Sequence, residues 1–142
     1  ISRSDKMVDV GKDKLAQAAI EAMAAAYAPY SQFQVGAAIE DDRGQIHTGV
    51  NVENAAYPVG SCAEAGAIAA MVRAGGKKIM RIAVAGRGAA LCTPCGGCRQ
   101  RIREFASASA EILVCDANGV RQIFTLNTLL PHSFGPDNLG ER

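Results

Sequence analysis

Two apolar runs near the end of the chain, EILVCD (111–116) and RQIFTL (121–126), are separated by only four residues. A parallel connection needs a dozen or more residues to cross back over a sheet, so these strands can pair only as antiparallel neighbours, with Asn118-Gly119 supplying the turn. A second hairpin lies upstream. Phe33, Val35, Ala37 and Ile39 alternate with smaller or polar residues, DDRG breaks the pattern, and Ile46, Thr48, Val50 and Val52 alternate again. KIMRIAVAG, between the hairpins, is the kind of apolar run found in a strand covered on both faces. Helical patterns run from about Gly11 to Tyr27, with Leu15, Ala19, Met23 and Ala26 on one small-residue stripe, from Cys62 to Arg73, and from Cys95 to Phe105. The order αββαβαββ predicts an α/β protein: a mixed five-stranded sheet with helices on its faces and its last two strands antiparallel.

At 142 residues the chain fits one domain, expected over 9–142, with residues 1–8 set aside as an N-terminal extension. Lys and Arg total 15 against 14 Asp and Glu, and no block of one sign could track a phosphate backbone, so no nucleic-acid partner is expected. No apolar run is long enough to span a membrane and ISRSDKMVDV lacks a signal-peptide core, which makes the cytoplasm the expected compartment. Five cysteines, an odd number in a chain with a full-sized core, read as reduced thiols rather than a disulfide framework.

Three of those thiols carry the chemistry. With Thr93 as N-cap and Pro94 at the first helical position, Cys95 and Cys98 fall in the opening turns of one helix, three apart and facing the same way. Ser61-Cys62-Ala63-Glu64 opens another helix with a third thiol. Two helix N-termini can converge on one dication, and three thiolates leave a cluster of formal charge −1 with one tetrahedral position open, which a catalytic zinc requires and a structural zinc lacks. Other readings of the same residues stand beside this one. Cys92 could complete a closed four-cysteine site, Cys95 and Cys98 could form a redox pair, Cys62 could be a small buried hydrophobe, and Glu64 stands at capping-box spacing from Ser61. Cys115 reads as core, and His47 and His132 as solvated surface residues.

Cys62-Ala63-Glu64 followed by Pro94-Cys95-Gly96-Gly97-Cys98-Arg99-Gln100 resembles the zinc-deaminase signature. Tyr30-Ser31-x-Phe33-x-Val35-Gly36, Gly49-x-Asn51-Val52-Glu53-Asn54-Ala55-x-Tyr57 and Leu130-Pro131-x-Ser133-Phe134-Gly135-Pro136 extend the resemblance to the small homotetrameric cytidine deaminases, over nearly the whole chain and in the same order. The resemblance implies a three-layer deaminase fold, one zinc per subunit held by Cys62, Cys95 and Cys98, and hydrolytic deamination of cytidine and 2′-deoxycytidine in pyrimidine salvage. It assigns Glu64 to proton transfer. Asn51 and Glu53, two apart at a strand end, share a face on which an amide and a carboxylate could bind ribose hydroxyls, and the resemblance favours that role over a solvated strand end. By the same resemblance Phe33 lines the pocket of its own subunit, Ala63 is a further substrate contact, and Ala55, Tyr57 and Phe134 reach neighbouring sites in a homotetramer. A deaminase of aminonucleoside antibiotics of the blasticidin S type is the alternative within the same chemistry. The pattern departs from the family at one point. Where the family places an Arg directly after the catalytic Glu to donate to the thiolates, this chain has Ala65 and Gly66, so the compensating charge is missing or comes from elsewhere.

Overall fold

The computed structural model describes residues 13–140, so the predicted extension at 1–8 and the first residues of the predicted opening helix, Gly11 and Lys12, lie outside the described residues. Asp13 starts the first helix: its carboxylate accepts from the Leu15 amide at 2.8 Å, the usual means of satisfying a helix-start N–H. This helix, α1 (Lys14–Met23), buries Leu15, Ala16, Ala19 and Met23. It ends four residues before the predicted Tyr27, because Tyr27 leaves the helical path to form an isolated bridge with Val52.

Strands β1 (Val35–Asp41) and β2 (Ile46–Val50) form the first hairpin. A 3-10 turn at Tyr57–Val59 leads to α2 (Ala63–Arg73), which returns the chain to β3 (Ile79–Gly86). After α3 (Gly96–Phe105) come β4 (Glu111–Asp116), β5 (Gly119–Thr125), the short α4 (Leu126–Leu129) and a 3-10 turn at Pro136–Leu139. The sheet has five strands in the order β2-β1-β3-β4-β5. Only β3 and β4 are parallel, joined by the α3 crossover, and β4 and β5 are antiparallel as the short link requires. The short α4 and both 3-10 turns are too brief to leave a periodic signature.

Strand alternation divides the core into two layers. On one face, α1 packs its Leu15, Ala16, Ala19 and Met23 onto Ala38, Ala83, Ala85, Leu113 and Cys115. On the other, Ala63, Ala67 and Met71 of α2 and Ile102 of α3 join Ala37, Ile39, Ile82, Val84, Ile112 and Val114. The buried alanines of both helices therefore pack on the chain's own sheet. Small residues let α2 lie close to β2: a Cβ on Gly49 would fall 2.2 Å from the Ala67 backbone nitrogen. That contact fixes the height of α2 above the sheet, and with it the position of Cys62 and Glu64.

Candidate active site

The start of α2 does not form the capping box that the Ser61–Glu64 spacing allows. Cys62, not Ser61, is the N-cap, and its side chain makes no cap hydrogen bond. Glu64 is consequently the second residue of the helix and turns inward to 5% exposure. The start of α3 is likewise displaced: Cys95 is the N-cap in place of Thr93, again without a side-chain cap, and Pro94 lies buried before the helix. Both cysteine side chains are thus free of capping duties.

Cys62 Sγ and Cys98 Sγ stand 2.8 Å apart, which brings the first turns of α2 and α3 together. With a Glu64 carboxylate oxygen they form a group whose ligand atoms all lie within 4.8 Å of one another. Cys95, the third predicted ligand, is exposed and is not in this group; it stands at the N-cap of α3, and its charge acts on Cys98. Burial pushes the Cys98 thiol strongly upward, reinforced by the Cys62 hydrogen bond and by the charges of Glu64, Cys62 and Cys95. Burial also raises the Glu64 carboxyl, opposed by its own backbone N–H, by the Cys98 thiol and by the charge of Arg101. Sulfur donors held together in surroundings that penalise their ionised form suit a thiophilic dication, whose charge reverses the penalty. The residues present therefore fit zinc.

Cys92 behaves differently. It packs over Gly86 near the Phe33 ring, and burial followed by the Glu64 charge pushes its thiol up to about 11. Like Cys95, it is not a member of the metal-ligand group found among the described residues, but unlike Cys95 it does not stand at a helix start. Cys115 is core, as expected, with burial holding its thiol at about 12. His132 is exposed, but His47 is not the solvated residue the sequence suggests: its Nε2 lies 2.8 Å from the buried Asp41 carboxylate beneath the β1–β2 turn.

A cleft of about 590 Å³ opens beside Cys62. Of the predicted substrate contacts it is lined by Asn51, Glu53 and Tyr57, together with Tyr30, Ser31 and Ser61. Asn51 and Glu53 also hold the cleft's other wall. Asn51 accepts from the Val35 amide at 2.8 Å and donates to the Phe33 carbonyl at 2.9 Å. Glu53 accepts from the Tyr30 and Ser31 amides at 2.9 and 3.0 Å and from the Ser31 hydroxyl. The Ser31 hydroxyl and then its amide lower the Glu53 carboxyl; burial opposes them, and the Tyr30 amide adds a smaller lowering. Tyr30 meets Tyr57 edge-on, ring centres 6.0 Å apart. Phe33, Ala55, Ala63 and Phe134 are not among the residues lining this cleft. Ala63 is buried under the first turn of α2, whereas Phe33 and Phe134 are 43% and 59% exposed.

Residues 11–114 match the family model described as the cytidine and deoxycytidylate deaminase zinc-binding region. The chain belongs to that family. A cytidine deaminase of Mycobacterium tuberculosis is 41% identical over 134 residues, spanning 94% of this chain and 96% of that protein. One from Halalkalibacterium halodurans is 35% identical over 130 residues, spanning 92% and 98%. The crystal structure of the Burkholderia pseudomallei cytidine deaminase superposes with a TM-score of 0.79 at 38% identity, covering 84% of this chain and 96% of that one. The protein is accordingly a zinc-dependent deaminase with the expected fold class. Among the described residues no helix is long and apolar enough to cross a membrane.

Sequence reasoning left open two features of this region, the roles of Ser31 and Tyr30 and the source of the charge that compensates the thiolates. Ser31 and Tyr30 stand in a quoted motif without an assigned role, yet their amides anchor Glu53. Arg101 reaches both sulfurs, with Nη1 3.9 Å from Cys62 Sγ and 3.8 Å from Cys98 Sγ. Its position three residues after Cys98, on the same helix face, was the available signal.

Proposed function

We propose that the protein hydrolyses cytidine and 2′-deoxycytidine to uridine and deoxyuridine with release of ammonia, supplying pyrimidine salvage. The observation that carries this reading is a carboxylate buried to 5% exposure, within 4.8 Å of two thiol sulfurs, behind a cleft of nucleoside size. Cys62, Cys95 and Cys98 hold the zinc, which supplies a Lewis acid that acidifies water at the site. Glu64 carries the proton: its carboxylate takes one from the water whose oxygen adds to carbon 4 of the base, gives it to ring nitrogen 3, and then helps deliver a proton to the amino group as the bond from carbon 4 to nitrogen breaks. Burial raises its affinity for that proton and so suits it to hold one between transfers.

Asn51 and Glu53 bind the ribose. Each keeps polar capacity after its backbone contacts: one amide hydrogen on Asn51, and lone pairs on the Glu53 oxygen that faces the Ser31 hydroxyl. Anchored at their other atoms, they present these groups at little entropic cost. Phe33 and Ala63 flank the base from the same subunit, while Ala55, Tyr57 and Phe134 complete neighbouring pockets in a homotetramer. Exposed apolar side chains such as Tyr57 at 77% and Phe134 at 59% support that assembly.

The test is ammonia release by the zinc-loaded protein from cytidine, deoxycytidine, cytosine and blasticidin S. Turnover of both nucleosides with little of the other two is expected. Preference for blasticidin S would assign the protein to antibiotic deamination, and no release from any substrate would leave a non-catalytic zinc module.

A further inference from the structure

Ala65 and Gly66, the residues after Glu64, bring no cation to the sulfurs, and three thiolates around a dication carry a formal charge of −1. The chain must stabilise that surplus in a partly desolvated setting, since Cys98 is fully buried and Cys62 partly so. Two arginines of α3 are near enough in sequence. Arg99 is committed elsewhere: its guanidinium donates to the Pro94 carbonyl at 2.6 Å, the Leu129 carbonyl at 2.9 Å and the Thr93 hydroxyl at 3.4 Å. These bonds fix the loop ahead of α3 and its contact with α4.

Arg101 is placed otherwise. Three residues beyond Cys98, it folds back along the helix until one nitrogen bridges both sulfurs, at 3.9 Å from Cys62 and 3.8 Å from Cys98. Its path runs beside Gly97, where a Cβ would stand 3.4 Å from the same nitrogen, in ordinary van der Waals contact. We propose that Arg101 is a positioning residue for the zinc centre, whose guanidinium joins the thiolates of α2 to those of α3 and neutralises their excess charge in place of a cation beside Glu64. Hydrogen bonds to sulfur draw electron density from the donors, so the metal keeps more of its positive charge, and the bridge holds two helix starts in register around it.

This inference rests on the thiolate ligand set proposed above, and the test separates the two. Cobalt(II) exchanged into the protein gives sulfur-to-metal charge-transfer absorption only if thiolates bind it; absence of such a band from the wild-type protein would overturn the ligand set itself. With the band present, Arg101→Gln should move it to lower energy, because sulfur lone pairs lose the stabilising cation. Arg101→Lys, which retains charge without the planar fork, should lie between. Zinc competition against a chelator should show about a 10-fold or greater loss of affinity in Arg101→Gln. A band that stays at its wild-type position in Arg101→Gln overturns the proposal even if zinc is held more weakly, since loosened structure alone would weaken the site without changing the sulfur donors.

Discussion

At the scale of single residues, the decisive fact is the direction in which Glu64 points. As a capping residue it would be replaceable by Gln, but Cys62 occupies the N-cap and Glu64 turns inward toward the sulfurs. Glu64→Gln should keep fold and zinc while lowering kcat by about 100-fold or more, the usual contribution of a proton-transfer group. Unchanged turnover at wild-type zinc content would refute the role. Cys92 and Cys95 separate in the same way. Cys92→Ser should retain one zinc per chain by elemental analysis and Cys95→Ser should lose much of it, because only Cys95 stands at a helix start with Cys98. Equal losses would favour a closed structural site.

Asp41 sets a pH dependence remote from that chemistry. Burial acts to raise its pKa, but His47, the Gln45 and Arg43 amides and the Arg43 guanidinium outweigh burial and hold the carboxyl far below its ordinary value. As pH falls the unfolded chain therefore takes up this proton before the folded one does, and stability from the ionised form is complete above the ordinary carboxylate range and lost below it. Urea midpoints measured downward from about pH 5 should fall more steeply for the wild type than for Asp41→Asn, and parallel profiles would remove Asp41 from the acid response.

At the scale of elements, α2 is the lever on the site, since it carries both Cys62 and Glu64 and rests on β2 through Gly49. Gly49→Ala inserts a methyl group 2.2 Å from helix backbone, which no rotamer can relieve. It should lower stability by about 1–3 kcal/mol in urea denaturation and displace the thiol of Cys62, with zinc affinity falling alongside. An unaltered midpoint would mean that α2 can ride higher without cost. The outer side of α3 has a second task. Gln100 donates to the Phe134 carbonyl at 2.9 Å, and Arg103 donates to the Ser133 hydroxyl at 2.9 Å and the Asp137 carboxylate at 2.7 Å. One helix thus supplies Cys98 and also fixes the tail that presents Phe134.

At the scale of the whole molecule, that exposed aromatic ring is what an incomplete pocket in a neighbouring subunit would use. Glu64→Gln and Phe134→Ala subunits, each severely impaired alone, should regain partial activity when mixed under exchanging conditions, because some pockets would pair an intact Glu64 with an intact Phe134. No recovery despite demonstrated exchange, or a fully active monomer by light scattering, would sink the shared site and leave the zinc chemistry standing.

Local rules made much of this protein legible in advance. Alternation at 33–39 and 46–52, the apolar run of β3 and the four-residue link before RQIFTL specified a mixed sheet, because side-chain period and loop length act between near neighbours. Spacing likewise placed Cys95 and Cys98 at one helix start. What sequence could not give was direction across gaps. Whether Ser61 or Cys62 would cap α2 turned on the backbone path from Val52, which bridges Ser61. Asn51 and Glu53 share a side as expected, but much of their bonding capacity goes to backbone some 16 to 23 residues earlier in the chain. Arg99 and Arg101 look equivalent as text. Only the packing of α3 between α2 and the tail decides that one guanidinium meets loop carbonyls and the other meets sulfur, since a helix turns successive side chains by about 100° and tertiary contacts determine what waits on each side.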